Sequence, residues 1–508
     1  MAPKTKELLL QIALVGLLGC NASAQEPKPP ATLAELQQRL REHISQSKYD
    51  AALWGVKIVS RDSGRTVFEQ NPQKLCSPAS NCKLYTVALA LDRLGADYRI
   101  KTSLYAKTKP SKSGKLSGDL VVYGRGDPTI NGRLHGGDLY QALEPLVAAL
   151  TNAGVKRIAG DLVADESYFR GPPFGSGWMW DDLEYYYGAE ISALTINDNT
   201  LQALVRPGPR VGAPCSLTLF PAAGWLAFSN RTVTAEKEVR KSIHCYRPLE
   251  ENVVYISGQM PVGDAGATNE VTVHNPAGLF TSFFRQALAR HGITVGGKLR
   301  TVNWLDRQAK PINYGNWVEL GLAESLPMRD LAREVQKPSQ NLYTDLLLAH
   351  VGEKSRAADS RPEETSEELG VRALNRFLTE VGIQKGETFF EEGSGLSRDN
   401  LVSPNATVTL LQFMSRHKCA DDYLAALPIA GVDGTLKSRM KGTPAAGNVR
   451  AKTGTLRWAN SISGFVTTAA GERLIFSLML NRYYELRPAR GDLDTIVVML
   501  AGFTGRVN

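Results

Sequence analysis

The apolar pattern of this sequence changes twice along the chain, and that change limits the folds it can adopt. Near the start, "LAELQQRLREHISQ" has helical spacing, and "LWGVKIVSRDSGRTVFEQN" alternates around a turn as a β-hairpin does. From about 101 to 305 the pattern becomes short alternating strands with many Gly, Pro and Asn turns. We therefore expect an α+β domain, 33–100 and 306–508, that is split by a mostly β insertion, 101–305, of two subdomains.

The elements of the split domain follow from the same pattern. Apolar residues at helical spacing after Ser80 predict an amphipathic helix that Gly95 closes. "LPMRDLAREVQK" and the run after Ser339 predict two more helices. "GNVRAKTGT", "NSISGFVTTA" and "ERLIFSLMLN" predict strands, with a helix near 491–502 after them.

The first 25 residues have the pattern of an export signal. Lys4 and Lys6 precede an apolar run, 8–18, that is too short to span a membrane. "NASAQ" predicts cleavage after Ala24, which makes residues 1–24 a signal peptide; alternatively, "LLGC" resembles a lipobox with lipidation at Cys20. Both readings place the protein outside the cytoplasmic membrane, in the periplasm or cell envelope, and leave peripheral or lipid-anchored membrane association open.

Charge and cysteine content narrow the classes of function. The formal net charge of +8 is spread along the chain without a basic arm, so nucleic acid is not an expected partner. The five cysteines after Cys20 include no C-x-x-C pair, so neither a metal site nor a redox site is expected. Cys215 and Cys245 flank a turn-rich region and are the pair that could form a disulfide after export; the alternative is five buried, unpaired thiols.

The first chemical signal is a serine followed by a lysine, Ser80-Asn81-Cys82-Lys83, where a helix begins. Residues i and i+3 share a helix face, so Lys83 can reach the Ser80 hydroxyl and remove its proton. A lysine acts as a base only when neutral, so its pKa must fall from ~10.4 toward ~7–8 through burial or nearby positive charge. We therefore expect a second cation in the site.

Two further motifs supply matching chemistry. In "VRAKTGTLRW", Lys452 is that second cation, and with Thr453 it suits an anion such as a terminal carboxylate. Gly454 would let a substrate backbone approach the strand closely. In "KPSQNLYTDLLL", Ser339 could relay protons, and Asn341 could hold Lys83 or a substrate carbonyl.

Each motif alone is weak, but together the three occur in the order S-x-x-K, S-x-N, K-T-G, each on the expected type of element. The chain resembles the class C low-molecular-mass penicillin-binding proteins, the D-alanyl-D-alanine carboxypeptidase/endopeptidase family. The resemblance is carried by "SPASNCKL", "YGAEISALTINDN", "KPSQNLYTDLLL", "EGSGLSRDNLVSP" and "LPIAGVDGTLKSRMKGTPAAGNVRAKTGTL". The interval from Ser80 to Ser339 is far longer than in class A β-lactamases, and that insertion marks this group.

The resemblance implies a penicillin-recognising, transpeptidase-like fold and a role for each motif residue. Ser80 would be the acylated nucleophile, Lys83 its base, and Ser339 with Asn341 the second motif. Lys452, Thr453, Gly454 and Thr455 would bind substrate, the backbone N–H groups of Ser80 and Thr455 forming the oxyanion hole.

The resemblance also implies a substrate. "GWMWDDLEYYYG" looks like the segment that meets the free end of a peptidoglycan stem peptide, with Trp178 beside Asp181 or Asp182, one of which would pair with an amino group. Stem peptides and β-lactam antibiotics are the expected ligands, without a cofactor. Glu392 stands where an aspartate is expected before "GSGLSR", and the Cys82 thiol inside the first motif is exposed to oxidation in principle.

Other classes of function can be set against this interpretation. A serine β-lactamase would need a water-activating group, and no E-x-x-L-N stretch lies between the second and third motifs. A non-catalytic envelope-binding module would tolerate loss of Ser80 or Lys83, yet both are present. A Ser-His-Asp hydrolase is disfavoured because there is no G-x-S-x-G elbow, and His350 is expected on the surface of its helix.

Overall fold

The computed structural model describes residues 28–222, 224–358, 360–484 and 490–507. The predicted signal peptide, 1–24, and Cys20 lie outside these ranges. The elements before the insertion are α1 (Leu33–Ile44), β1 (Leu53–Ser60), β2 (Thr66–Gln70) and α2 (Cys82–Leu94). Thr32 caps α1, since its hydroxyl accepts from the backbone N–H of Glu35.

The next stretch of chain alternates short strands with three helices. Its elements are β3 (Lys101–Ala106), β4 (Lys115–Leu116), β5 (Leu120–Tyr123), α3 (Leu139–Asn152), β6 (Arg157–Ile158), β7 (Leu162–Asp165), β8 (Thr200–Arg206), β9 (Ser216–Phe220), β10 (Ala227–Ala235), β11 (Ser242–Tyr246), β12 (Val253–Pro261), β13 (Ala267–Thr272), α4 (Pro276–Arg290), β14 (Thr294–Val295), β15 (Leu299–Val302), α5 (Trp304–Ala309) and β16 (Val318–Glu324).

The C-terminal part is mainly helical until its last three strands. Its elements are α6 (Met328–Gln336), α7 (Asn341–Ser355), α8 (Ser366–Val381), β17 (Thr388–Phe389), β18 (Leu401–Val402), α9 (Pro404–Met414), α10 (Ala420–Ala426), β19 (Arg450–Leu456), β20 (Ala459–Thr467), β21 (Arg473–Asn481) and α11 (Arg490–Gly502).

A five-stranded antiparallel sheet joins the two ends of the chain in the order β19-β20-β21-β1-β2. Side chains of β21 alternate between two apolar cores, as strand geometry requires. Ile475 and Met479 belong to the core that contains α2, α6, α7 and α9, whereas Phe476 and Leu478 belong to the core that contains α1 and α11. The predicted antiparallel sheet with helices is thus confirmed, and β19 is its edge strand.

Helix α2 departs from its predicted amphipathic character. Its first ten residues, 82–91, are all buried, because α6, α7 and α8 pack around it. Lys83 is therefore carried into the protein interior by a helix with no solvent face over most of its length.

The insertion contains more helix than the sequence pattern indicated. Strands β15-β7-β5-β3-β16 form a mixed sheet, on which α3 and α4 pack. Strand β16 pairs with β3, so the strand pairing extends the insertion to Glu324 rather than 305. Strands β8 to β13 form two small sheets, but they share one apolar core with the mixed sheet, so the division into two subdomains stays a prediction.

The disulfide considered between Cys215 and Cys245 is not formed, and all five cysteines of the described ranges are free thiols. Cys215 lies against Thr234 of β10, whereas Cys245 is on β11. The central strand β12 separates β10 from β11. Strands β10 and β11 are therefore about 9–10 Å apart, a distance too large for a disulfide between residues on them.

None of the helices within the described ranges has both the length and the apolar character needed to span a membrane.

Candidate active site

Ser80 and Lys83 meet at the start of α2. A short 3₁₀ turn, Ala79–Asn81, leads directly into the helix. The Lys83 Nζ lies 3.0 Å from the Ser80 Oγ, which is hydrogen-bond distance for proton transfer. Ser80 is partly exposed, whereas Lys83 is fully buried, so the hydroxyl faces a ligand and the amine does not.

Two further acceptors fix the Lys83 amine. Its Nζ donates to Asn341 Oδ1 at 2.6 Å and to the Ser394 carbonyl at 2.6 Å. Asn341 begins α7, and its amide nitrogen donates to the Tyr187 carbonyl at 2.9 Å. Of the two roles considered for Asn341, the geometry shows contact with Lys83, and it links the amine to the inserted segment.

Burial lowers the pKa of Lys83 to about 8, against the opposing effect of the Asp345 and Glu392 carboxyl groups. A substantial neutral fraction therefore exists close to neutral pH. From the sequence, Lys452 was expected to help lower the pKa of Lys83, but burial is the main cause. Repulsion between the two lysines instead lowers the pKa of Lys452, which lies well below its ordinary value first because of burial and then because of Lys83.

Glu392 organises the loop that faces Lys83. Its carboxylate accepts from the backbone N–H groups of Ser394 at 2.7 Å and Gly395 at 2.6 Å, and from the Ser394 hydroxyl at 2.5 Å. These bonds hold the Ser394 carbonyl against Lys83. Gly395 is required there, because its φ is 85° and a Cβ would lie 1.9 Å from the Ala79 carbonyl oxygen.

Asp345 lies beside Glu392 and is also buried. Its Oδ1 accepts from the Gly393 N–H at 3.2 Å, and burial together with the Glu392 carboxylate raises its pKa well above the usual range. Sequence reasoning missed this carboxyl pair. The one signal for it was Glu392 in front of "GSGLSR".

Ser339 and Lys452 form a second hydroxyl–amine pair. The Lys452 Nζ donates to Ser339 Oγ at 2.8 Å and to the Thr453 carbonyl at 2.7 Å, and the lysine is fully buried. Ser339 has a φ of 67° and Ala79, before the nucleophile, a φ of 48°, a region that costs a residue with a side chain of order 1 kcal/mol or more. Both motif hydroxyls are therefore presented by strained backbone.

Gly454 has a packing role in addition to the predicted one. A Cβ at this position would lie 2.4 Å from the Pro78 carbonyl oxygen and 3.0 Å from the Ser80 nitrogen. The residue thus allows β19 to approach the turn that carries Ser80, while the approach of a substrate backbone to this strand stays a prediction. Thr455 follows on the edge strand, exposed and next to Ser80 in the same cleft.

These residues open onto one cleft of about 890 Å³. Its walls are rich in hydroxyl, phenol and guanidinium groups: Ser80, Asp181, Asp182, Tyr185, Tyr186, Tyr187, Pro338, Ser339, Asn341, Gly395, Leu396, Arg398, Thr435, Arg439, Thr453, Thr455, Leu456, Arg457, Trp458, Tyr483 and Arg490. Tyr185, Tyr186 and Tyr187 belong to the quoted "YYYG" stretch and Arg439 to the quoted "GTLKSR" stretch, but sequence reasoning gave them no role. Among the described residues, no cluster of His, Cys, Asp and Glu has a metal-binding arrangement.

Of the three residues predicted to meet the far end of a substrate, two line the cleft and one does not. Asp181 and Asp182 line the cleft, whereas Trp178 does not and packs its indole against Gly175. Asp182 accepts from the Met179 N–H at 3.3 Å, and burial raises its pKa, while Asp181 is exposed. The exposed indole of this segment is Trp180.

Residues 36–501 match the D-Ala-D-Ala carboxypeptidase 3 (S13) family. The chain belongs to this family. It is 30% identical to a D-alanyl-D-alanine carboxypeptidase of Actinomadura sp. (strain R39), over 98% of this chain and 89% of that protein. It is 29% identical to the D-alanyl-D-alanine carboxypeptidase DacB of Haemophilus influenzae, over 85% of each.

A solved structure agrees with the sequence comparisons. Penicillin binding protein 4 (dacB) from Haemophilus influenzae superposes with a TM-score of 0.75 at 27% identity, covering 91% of this chain and 97% of that one. A second structure of that protein, in complex with a β-lactam, gives a TM-score of 0.71 at 25% identity. The predicted family, fold class and serine peptidase activity are confirmed, and the family implies a place in the cell envelope.

Two other side chains considered from the sequence, His350 and Cys82, do not take part in the active site. His350 is not on a helix surface but fully buried, its ring nitrogens bonded to the Tyr98 hydroxyl and the Arg125 carbonyl, each at 2.9 Å. Burial lowers its pKa to about 4, so it is a neutral core residue. Cys82 is also fully buried, and burial raises its thiol pKa well above the usual range, which protects it from oxidation.

Proposed function

We infer that this S13 protein is a serine D-Ala-D-Ala carboxypeptidase with D,D-endopeptidase activity on peptidoglycan stem peptides, acting through an acyl-enzyme on Ser80. The observation that carries the inference is the 3.0 Å contact between Lys83 Nζ and Ser80 Oγ, with the lysine buried and its pKa lowered. Burial makes a neutral amine available, and at this distance that amine can take the proton of the Ser80 hydroxyl, whereas an exposed lysine would remain protonated.

The proposed acylation step follows from the geometry. Neutral Lys83 takes the Ser80 proton, and Oγ forms a bond to the carbonyl carbon of the penultimate D-Ala. In this proposal the oxyanion accepts from the N–H groups of Ser80 and Thr455, and the close approach of β19 to the 3₁₀ turn at Gly454 supports that pairing. The C–N bond then breaks, and the leaving amine takes the proton from Lys83.

Water completes the proposed cycle by cleaving the ester on Ser80. The same step serves a carboxypeptidase, where the leaving amine belongs to a terminal D-Ala, and an endopeptidase, where it belongs to a cross-linked neighbouring peptide. The size of the cleft supports both, since its volume is about 890 Å³ and its lining includes Asp181 from the insertion and Arg490 from α11 as well as Ser80.

An exported location supports the substrate assignment. The proposed processing is cleavage after Ala24, with lipidation at Cys20 as the alternative, and both leave the site in the periplasm or envelope, where stem peptides and β-lactams are met. A penicillin would acylate Ser80 in the same way as a substrate carbonyl.

Mass spectrometry tests this proposal directly. The protein is incubated separately with a fluorescent penicillin and with a peptide that ends in D-Ala-D-Ala. A stable adduct on the peptide containing Ser80, together with released D-Ala, is expected. Rapid penicillin turnover would favour a β-lactamase, and no adduct would favour a non-catalytic module.

The β-lactamase alternative has little support in the cleft. Among the described residues, its walls contain two carboxylates, Asp181 and Asp182, and both come from the insertion. Glu392 and Asp345 are buried behind Lys83. No carboxylate is thus positioned in the wall next to Ser80 to activate a deacylating water.

Conversion of a cross-linked muropeptide dimer into monomers would separately test endopeptidase activity.

A further inference from the structure

The site must recognise the carboxylate at the end of a D-Ala-D-Ala peptide, and Lys452 is poorly placed to do so. Its ammonium is fully buried, bonded to Ser339 Oγ and the Thr453 carbonyl, and it is not part of the cleft wall. A carboxylate that reached it would have to displace these bonds. Another cation is therefore needed on the surface of the cleft.

Arg439 is a guanidinium fixed in that surface. Asp494 of α11 holds it in a two-pronged ion pair, accepting from Nη2 at 2.6 Å and from Nε at 3.0 Å. The two side chains are only 15% and 18% exposed. Nη1 makes no hydrogen bond to the residues that the structure describes, and the side chain is partly exposed in the cleft wall, so Nη1 is the part of the guanidinium left for a ligand.

The surroundings of Arg439 match a carboxylate rather than a neutral ligand. Thr435, four residues earlier, forms a 2.7 Å hydroxyl–hydroxyl bond with Thr453, and both threonines line the cleft with Arg439 and Ser339. A guanidinium stays charged when partly buried, and a partner that fixes its plane reduces the entropy lost when it binds an oxyanion. The cleft wall thus offers two threonine hydroxyls and one oriented, permanently charged donor.

We propose that Arg439, held by Asp494, binds the C-terminal carboxylate of the substrate together with Thr435 and Thr453, while Lys452 acts behind them on Ser339. The proposal rests on the function inferred above and adds a specificity-determining residue to it. Arg439 selects for peptides with a free C-terminus, and the same contact would hold the carboxylate of a penicillin.

The test compares two substrates rather than one. Values of kcat/KM are measured for an N-acylated peptide ending in D-Ala-D-Ala and for the same peptide with a C-terminal carboxamide. The wild-type protein is expected to prefer the acid. Arg439→Met should lower the acid/amide ratio roughly 10- to 100-fold, as expected for a charged hydrogen bond.

Matched variants make the result specific. Asp494→Asn should lower the ratio less than Arg439→Met, because the guanidinium remains but loses its partner. Arg473 forms a comparable ion pair with Asp62 outside the cleft, so Arg473→Met should leave the ratio at the wild-type value. Arg439→Gln is the second variant if the Met variant does not fold, and it should lower the ratio equally.

The outcomes separate this inference from the proposed function. A wild-type acid/amide ratio in Arg439→Met or Arg439→Gln would overturn the assignment, and a collapse of the ratio in Lys452→Met alone would place the anchor at Lys452. A wild-type protein that forms no penicillin adduct and cleaves neither peptide would overturn the proposed function itself.

Discussion

The floor of the cleft and the wall that the insertion adds to it differ in how they are held. At the floor, Ser80 and Ser339 face the cleft and Lys83 and Lys452 are buried beneath them, and the polar atoms of these residues are bonded to groups from separate parts of the chain. The wall segment, 179–187, combines exposed side chains, among them Trp180, Tyr185 and Tyr186, with half-buried ones such as Asp182. Buried polar groups depend on their partners, whereas exposed ones are solvated when a partner is lost. Substitutions in the floor should therefore abolish function, and those in the wall should adjust it.

The largest effect is expected at Ser80. Ser80→Ala should abolish covalent penicillin labelling and D-Ala release, because within the described part of the chain Lys83 is not bonded to any other side-chain hydroxyl. Gel fluorescence and mass spectrometry measure the adduct, with the thermal transition as a control for folding. Full-stoichiometry labelling of this variant would show that the nucleophile lies elsewhere.

Lys83 should give the next largest effect, through its proton. Because its pKa is lowered to about 8 and only the neutral amine acts as a base, the acylation rate should fall as pH drops through that value. Lys83→Arg stays protonated and should acylate ~10²–10⁴-fold more slowly. Stopped-flow acylation between pH 5 and pH 10 measures both; a flat profile, or an Arg variant with the wild-type rate, would exclude Lys83 as the base.

Glu392 should change the same profile by a smaller amount. Its carboxylate raises the pKa of Lys83, so Glu392→Gln should move the acid limb of the acylation profile to lower pH. The variant also weakens the bonds to Ser394 and Gly395 and should lower the free energy of unfolding by about 1–3 kcal/mol.

Glu392→Asp is the control for that variant, since it keeps the charge and restores the residue expected before "GSGLSR". Its acid limb should stay at the wild-type pH even if the loop loses some stability. An acid limb that moves upward in Glu392→Gln would mean that the loop geometry, and not the charge, determines the pKa of Lys83.

Much of the fold could be predicted from the sequence because local patterns record which faces are buried. The hairpin β1–β2, helices α6 and α7 and strands β19 to β21 lie where periodicity placed them. Helix α2 was harder, since its apolar stripe did not reveal that three other helices would cover its remaining faces. The parallel pairings of the insertion, such as β5 with β7, join strands far apart in sequence, and no local pattern contains that information.

The site shows the same limit at the level of single residues. The motif spacing was enough to bring Ser80 to Lys83, because one helical turn determines that distance. It could not show that Lys452 would be buried behind Ser339, or that Asp494 of α11 would hold Arg439 in the cleft wall. These placements depend on tertiary packing between segments that the sequence pattern treats separately.

The smallest effect is expected in the wall, at Asp181. If an amino group of the stem peptide pairs with a carboxylate there, Asp181 is the better candidate, since it is exposed in the cleft, whereas Asp182 is engaged with the Met179 N–H. An ion pair at an exposed site contributes about 1 kcal/mol or less, so Asp181→Asn should reduce cleavage of a diamino-acid stem peptide about fivefold or less. Penicillin acylation and cleavage of a stem peptide without the free amine should not change.

Trp178→Phe is the matched control from the same segment, and because its indole packs outside the cleft it should leave the preference for the amine unaltered. Equal losses with both peptides in Asp181→Asn would indicate a structural role for the wall, and an effect confined to Asp182→Asn would move the contact to that residue.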